Sequence, residues 1–259
     1  MFMETTPKRF PRTSLHPTVS FILDDQARMA KARNYFAWQG RLVLQELGQR
    51  VVEVGCGIGN FTGMLLDREM VVSVDIEPHC VERLQARYAD RPNLYATCSD
   101  ASSATFADLR RFHPDSCVCL NALEHMADDR GALAAMASIL EPGGAIVLIV
   151  PAFEALYGKL DHNLGHYRRY TRKSMVDLAG AVGLEVKTIR YMNLIGFFGW
   201  WANSHLFRLE SQSPKQIEFF DRFVVPVMSR MEAVAPSPFG QSLFAALRKP
   251  SGAGPWPAR

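Results

Sequence analysis

The chain has 259 residues, 48% of them hydrophobic and 21% charged, a composition that fits one main globular domain and excludes a disordered or low-complexity class. Its net charge of +3 is too small to point to a nucleic-acid partner. The five cysteines (Cys56, Cys80, Cys98, Cys117, Cys119) are odd in number, contain no C-x-x-C pair and sit mostly in apolar runs, so reduced thiols in a cytoplasmic protein are expected rather than disulfides.

The N-terminal stretch MFMETTPKRFPRTSLHPTVSF mixes Pro, Thr and basic residues and lacks the apolar core of a secretory signal. Residues 1–27 therefore read as a leader. From Asp25 to Leu47, Met29, Tyr35, Phe36, Leu42 and Val43 recur at helical spacing and predict one or two helices, stopped by Gly48. Segments then alternate, with strands over 50–54, 70–75, 93–98, 115–121 and 144–150 and helices over 60–67, 78–89, 103–111 and 129–140. This alternation specifies a parallel sheet with helices on both faces, and VVEV, MVVSV, CVCL and AIVLIV are continuous apolar runs, as doubly covered strands should be. In such α/β sheets ligands bind outside the carboxyl ends of the strands, so the loops after the first, second and fourth strands are where chemistry is sought.

After Pro151 the pattern changes. A helix over 173–182 ends at Gly183, and 185–192 and 242–248 read as two further strands. If these two pair antiparallel at the sheet edge, the segment between them, with helical patterns near 196–210 and 215–232, packs over the core as a cap. The expected organisation is thus a leader (1–27), a core (28–193 and 241–249), a helical cap insertion (194–240) and a disordered Pro/Gly-rich tail (250–259). The apolar run LIGFFGWW at 194–201 is shorter than the ~18 to 20 residues that span a bilayer, which leaves peripheral membrane contact open but not a crossing.

Residues 51–60, VVEVGCGIGN, carry the sharpest signal. A strand, a glycine-rich turn and a helix start bring backbone N–H groups close to a ligand. A dinucleotide fingerprint needs G-x-G-x-x-G, and counting from Gly55 gives Gly57 and then Asn60 where the last glycine should stand. The observed G-x-G-x-G, preceded by Glu53, resembles the first motif of class I S-adenosylmethionine-dependent methyltransferases. The pairing of Asn121-Ala-Leu-Glu-His after the fourth strand with the L-E-P-G-G turn into the fifth resembles the small-molecule members of that class. The resemblance implies a Rossmann-like, doubly wound, mostly parallel seven-stranded α/β sheet with an antiparallel last strand. It also implies cofactor contacts at Glu53, Gly55, Cys56, Gly57, Gly59, Asp75, Ile76, Asp100, Ala101, Asn121, Ala122 and Glu124. Asp75 would take the ribose hydroxyls and Asp100 the adenine amine, although Asp100 serves equally as a cap for the following helix. Glu53 serves alternatively as a capping or salt-bridging carboxylate.

The stretch FEALYGKLDHNLGHYRRYTRK at 153–173 follows the fifth strand and reads as the acceptor loop. An oxygen or nitrogen acceptor that starts protonated needs a base, and His166, His125 and Tyr157 are the catalytic candidates. His162, Tyr167, Arg168 and Arg169 are candidate substrate contacts, the arginines alternatively being solvated charges. Asp161, His162 and His166 permit a metal reading, but their spacing lacks further carboxylates and no metal is expected. Cys117 and Cys119 read as packing residues on one face of a buried strand. The aromatic cap suits core packing or, alternatively, a hydrophobic acceptor such as an isoprenoid, aromatic or lipid-linked molecule. Two other classes stay open beside methyl transfer: a nicotinamide-dependent oxidoreductase, which would share the glycines and Asp75, and a non-catalytic adaptor that keeps the nucleoside site.

Overall fold

The computed structural model describes residues 17–207, 209 and 211–252, so most of the expected leader and of the expected tail lies outside the described residues. Seven strands form one sheet: β1 (Arg50–Val54), β2 (Met70–Asp75), β3 (Leu94–Cys98), β4 (Ser116–Leu120), β5 (Ala145–Pro151), β6 (Glu185–Met192) and β7 (Ser242–Arg248). Their order is β3-β2-β1-β4-β5-β7-β6. Pairs from β3 to β5 are parallel, and β7 lies antiparallel between β5 and β6. The order reverses between β1 and β4, which places the ligand crevice at their carboxyl ends, beside Gly55 and Asn121.

The central strands β1, β2, β4, β5 and β7 are mostly apolar and buried because both of their faces are covered, whereas the outer strands β3 and β6 are partly exposed. Val52, Val72, Cys117, Ile146 and Leu148 join one core cluster, while Val51, Val71, Val118, Val147 and Ile149 join the other. Successive residues thus alternate between two buried layers, following the period of two in a strand. Cys117 and Cys119 pack into the same layer, and with Cys56 and Cys80 they are buried free thiols; Cys98 is exposed.

Helices α1 (Pro17–Met29) and α2 (Arg33–Val43) precede the sheet. Residues 17–27 are therefore helical and not a leader. The mixed Pro, Thr and basic composition does not prevent this, because Pro17 is the first residue of α1, where its missing N–H costs nothing. Helices α3 (Pro78–Arg87), α4 (Asp129–Ile139) and α6 (Arg172–Ala181) lie where expected, and α5 (Lys159–Leu164) forms within the acceptor loop. The segments expected as helices at 60–67 and 103–111 contain only 3-10 turns, at Thr62–Met64 and Ala104–Phe112. In the first, the connection from β1 to β2 is short and Gly63 removes a side chain that would favour a longer helix.

The insertion between β6 and β7 holds α7 (Leu194–His205), α8 (Pro214–Phe219) and α9 (Val225–Val234). A π-helical turn at Phe220–Val224 interrupts the single helix expected over 215–232. Pro226 lacks the N–H for the ordinary helical bond and crowds the preceding turn, which the wider turn relieves.

That turn presents Asp221 to the start of α2. The carboxylate accepts from the backbone N–H of Asn34 at 3.2 Å and of Tyr35 at 2.8 Å, while Asn34 Nδ2 donates to the Asp221 carbonyl at 3.0 Å. The residue in the capping position of α2, Ala32, makes no side-chain cap of its own. Asp221 satisfies these helix-terminal donors from across the chain. Replacing Asp221 by Ala should cost about 1–2 kcal/mol of stability, and Asp221→Asn, which keeps one acceptor oxygen, should cost less; urea unfolding of the two variants beside the parent chain checks this.

Candidate active site

The glycine turn follows β1 directly. Gly55, Gly57 and Gly59 have φ of +75°, +53° and +81°, a region that L side chains seldom adopt, so the backbone path alone calls for glycine at all three. Close approach adds a second reason, and the atoms that approach belong to the protein. A Cβ on Gly55 would lie 2.5 Å from Ala122 Cβ, one on Gly57 would lie 2.5 Å from Gln26 Oε1, and one on Gly59 would lie 2.4 Å from Leu84 Cδ1. The turn is thus held between β4's loop, α1 and α3.

Gln26 belongs to the segment read as leader. Its Oε1 accepts from the Ile58 N–H at 3.1 Å, and its carbonyl accepts from Asn60 Nδ2 at 2.9 Å. The sequence offered no signal for it, since a lone Gln on a short helix carries no motif.

Three carboxylates border the turn. Glu53 is buried, and its Oε2 accepts from Thr62 Oγ1 at 2.7 Å and Ser73 Oγ at 2.6 Å. Burial pushes its pKa up to about 7 despite these bonds, with the nearby Asp75 adding to the rise. Asp75 ends β2 and accepts from the Gly57 N–H at 2.7 Å through Oδ2 and from the Glu77 N–H at 3.0 Å through Oδ1. Burial raises its pKa, and these backbone donors offset part of the rise. Each oxygen keeps lone-pair capacity for a further donor. Ile76 beside it is 63% exposed. Asp100 Oδ1 accepts from the Ser102 N–H at 2.8 Å in a local turn that precedes the 3-10 helix Ala104–Phe112 and does not cap it, and Ala101 is buried behind it.

On the other side of the crevice, Asn121 has φ of +50° and its N–H donates to the Ile149 carbonyl at 2.7 Å. Glu124 is 1% exposed, its Oε2 has no hydrogen-bond partner, and burial pushes its pKa up to about 7. Burial also pushes His125 down to about 3, with the neighbouring His166 contributing in the same direction. The two imidazoles meet edge to face, with centroids 4.7 Å apart.

His166 is oriented by Asp161, whose Oδ1 lies 2.8 Å from His166 Nδ1. Asp161 is fully buried, and it also binds Arg169, with Nε and the terminal nitrogen each 2.8 Å from Oδ1. Burial alone would raise the Asp161 pKa, but the His166 bond and the Arg169 charge hold it below the usual carboxylate range. Tyr157 donates its hydroxyl to the His166 carbonyl at 2.7 Å. It therefore positions the loop and does not line the cavity.

The arginines are spent internally. Arg169 also donates to the Ala152 carbonyl at 3.1 Å and lies over the Trp200 ring at 4.9 Å. Arg168 pairs with Asp129 at 2.6 Å and donates to the Ala127 carbonyl. Neither is a solvated charge. Tyr167 and His162 are exposed and stand outside the cavity. The trio Asp161, His162 and His166 is thus not brought together, whereas Glu124, His125 and His166 each offer a metal-ligating atom within 4.8 Å of the others.

These groups share one cavity of about 490 Å³, lined also by α1 and α2 (Asp25, Gln26, Tyr35, Gln39), by Glu53, Gly55 and Cys56, and by the insertion (Trp200, Ile217, Phe220). Asp75, Ile76 and Asp100 lie beyond its edge. Gln39 is fully buried with both amide atoms unpartnered. Neither Gln39 nor Asp25 was singled out in the sequence, where both look like ordinary polar helix residues.

The Glu53 environment sets a test. A carboxyl whose folded pKa is raised from 4.5 to about 7 contributes most below pH 4.5 and loses that contribution as pH rises through about 7. Glu53→Gln keeps an acceptor oxygen for Thr62 and Ser73 but cannot ionise. Its stability relative to the parent chain should therefore rise between pH 5 and pH 8, by an amount on the order of 3 kcal/mol, as read from urea unfolding at both values. A difference independent of pH would show that Glu53 ionises without penalty.

Comparison with known proteins fits this geometry. A family profile described as a methyltransferase domain matches residues 21–189. An uncharacterised methyltransferase of Mycobacterium tuberculosis is 30% identical over 115 residues, covering 44% of this chain and 56% of the relative, so the match spans little more than half of that protein. The ubiquinone biosynthesis O-methyltransferase of Idiomarina loihiensis is 27% identical over 58% of this chain and 68% of its own. Among solved structures, the N-methyltransferase NodS of Bradyrhizobium japonicum in complex with S-adenosyl-L-homocysteine superimposes with a TM-score of 0.58 at 17% identity, over 91% of this chain and all of NodS. A putative methyltransferase bound to the Trm112 activator of Haloferax volcanii gives 0.62 at 18% identity, over 92% of this chain. These similarities disfavour the nicotinamide alternative, and the chain belongs to the methyltransferase-domain family, within the class I S-adenosylmethionine-dependent methyltransferases.

Proposed function

We propose that the protein transfers a methyl group from S-adenosylmethionine to the oxygen or nitrogen of a small-molecule acceptor. The observation that carries this reading is the single cavity that joins the glycine turn to His125 and His166. Asp75, with lone pairs left on both oxygens, suits the ribose hydroxyls, and the exposed Ile76 beside it suits the flat base. Asp100 can meet the base with Oδ2, which its local turn leaves free. The acidic wall formed by Asp25, Glu53 and Glu124 suits the cationic end.

The bound cofactor supplies an already activated methyl group, so the chain's task is alignment, exclusion of water and handling of one proton. His166 is the group for the proton. Asp161 is held ionised and can only accept, so Nδ1 carries the hydrogen and Nε2 is left as a lone pair. His125, pushed down to about 3 by burial, stays neutral and is a weaker base, and it serves to orient the acceptor. Arg169 and Tyr157 hold the loop that presents His166, and Arg168 anchors its far end. In place of the direct substrate contacts expected of the arginines, these are positioning roles.

For the acceptor, Leu160, Leu164, Ile217, Phe220 and Trp200 supply apolar walls, and the unpaired Gln39 amide supplies one polar handle. Phe219 lines the cavity while 62% exposed, which puts an aromatic ring at its mouth. The relatives named for ubiquinone biosynthesis O-methylation support an apolar or aromatic acceptor that reacts at oxygen. No helix among the described residues is long and apolar enough to cross a membrane.

The roles separate under mutation. Asp75→Ala should weaken S-adenosylhomocysteine binding at least about tenfold by calorimetry, the loss of one or more charge-assisted hydrogen bonds. His166→Ala should leave that binding within about twofold and reduce turnover of a hydroxylated aromatic acceptor by roughly 10²- to 10⁴-fold. The reverse pattern would overturn the assignment, and a parent chain that binds the cofactor but methylates nothing in a broad acceptor panel would favour the adaptor alternative.

A further inference from the structure

We infer that Glu124, His125 and His166 form a binding site for one divalent first-row transition ion, of which Zn²⁺ is the representative. Three ligand atoms from these side chains already lie within 4.8 Å of one another, and around an ion with bonds near 2.0–2.1 Å they would draw in to about 3.3 Å, a small side-chain adjustment. Two imidazoles and one carboxylate make the donor set that selects Zn, Fe or Ni over Mg or Ca, and it leaves coordination positions open.

Each ligand is prepared in a way that packing alone does not require. Glu124 is 1% exposed, and its Oε2 is a buried oxygen with no partner, an arrangement that costs free energy unless something positive meets it. His166 gives Nδ1 to the ionised Asp161 at 2.8 Å, which turns Nε2 outward. His125 meets His166 edge to face, with ring centroids 4.7 Å apart, and lines the same cavity. A histidine tied at one nitrogen to a carboxylate or carbonyl is the usual outer support of a metal-ligating imidazole. Asp161 supplies that support for His166 here, and Arg169 and Trp200 hold Asp161 in turn.

The site's use rests on the proposed methyl transfer, because an ion there would face the acceptor. Bound to an open position, an acceptor hydroxyl would have its pKa lowered and would release its proton to water before its oxygen takes the methyl group, and His166 would act as ligand in the loaded protein and as base in the empty one. The site's existence does not depend on that use.

The test uses the full chain without a histidine tag, stripped with a chelator and titrated with Zn²⁺ by calorimetry. One ion per chain is expected. Glu124→Gln and His125→Ala should weaken binding at least tenfold, and Asp161→Asn, which touches no ion, should weaken it about 10- to 100-fold through His166. Failure of the parent chain to bind stoichiometrically, or equal affinity in folded Glu124→Gln and His125→Ala, overturns the inference. Should those variants not fold, Co²⁺ bound to the parent chain decides. Intense visible absorption of a low-coordinate site supports the proposal, and the pale spectrum of a fully hydrated ion sinks it. S-adenosylhomocysteine is titrated into the same stripped and loaded samples. Its binding without any Zn²⁺ site removes only the metal inference, while Zn²⁺ binding without cofactor affinity removes only the methyltransferase reading.

Discussion

Asp161 has no solvent exposure, and its oxygens are met by His166 Nδ1, by two nitrogens of Arg169, by the Gly158 N–H at 3.0 Å and by the Trp200 indole N–H at 3.4 Å. A carboxylate this deep is tolerable only when its charge is paired and its lone pairs are filled. Asp161 lies in α5, and its partners come from the acceptor loop on either side of that helix and from α7 in the insertion. Moving any one of them strands a buried charge, so the loop, the insertion and the imidazole facing the cavity are set together. The orientation of His166 is a consequence of that constraint and not of its position in the chain alone.

This explains why the acceptor side was only half legible. The sequence G-H-Y-R-R-Y showed a concentration of basic and aromatic residues, and the eye assigns such charges to a ligand or to water. Arg169 is neither: its partner is Asp161, eight residues earlier. Arg168 finds Asp129 at the start of α4. A charge's partner depends on three-dimensional closure, which no spacing rule reports. His125 and His166 were legible as histidines near the crevice, but their pairing with Glu124 required the β4 loop and the acceptor loop to be folded against each other.

The sheet was legible for the opposite reason. A strand covered on both faces is apolar at nearly every position, so β1, β2, β4 and β5 announced themselves despite Glu53 and Ser73, and the turn after β1 was marked by three residues whose φ excludes most side chains. Local signals of this kind survive without tertiary context. The misses cluster where context wins. Residues 17–27 fold as a helix because they close over the glycine turn through Gln26. The helix expected over 215–232 opens at a π turn above Pro226, and that opening presents Asp221 to α2, 186 residues away from Tyr35.

The cavity's negative charge is conditional. Glu53 and Glu124 have pKa values raised by burial to about 7, so near neutrality these two carboxyls ionise only partly while no cation enters the cavity; burial raises Asp25 as well, against the pull of Arg28 at 3.1 Å. A cation brought among them favours ionisation, and by linkage ionisation favours the cation. The same argument applies to a sulfonium at the Glu53 end and to a metal ion at the Glu124 end, because both sit in one enclosure of low polarity. Burial there does two things at once: it makes each lone carboxylate costly, and it strengthens the attraction that relieves the cost. A wall that is only partly ionised when empty and more fully charged when filled discriminates for cations while limiting the repulsion among its own carboxylates.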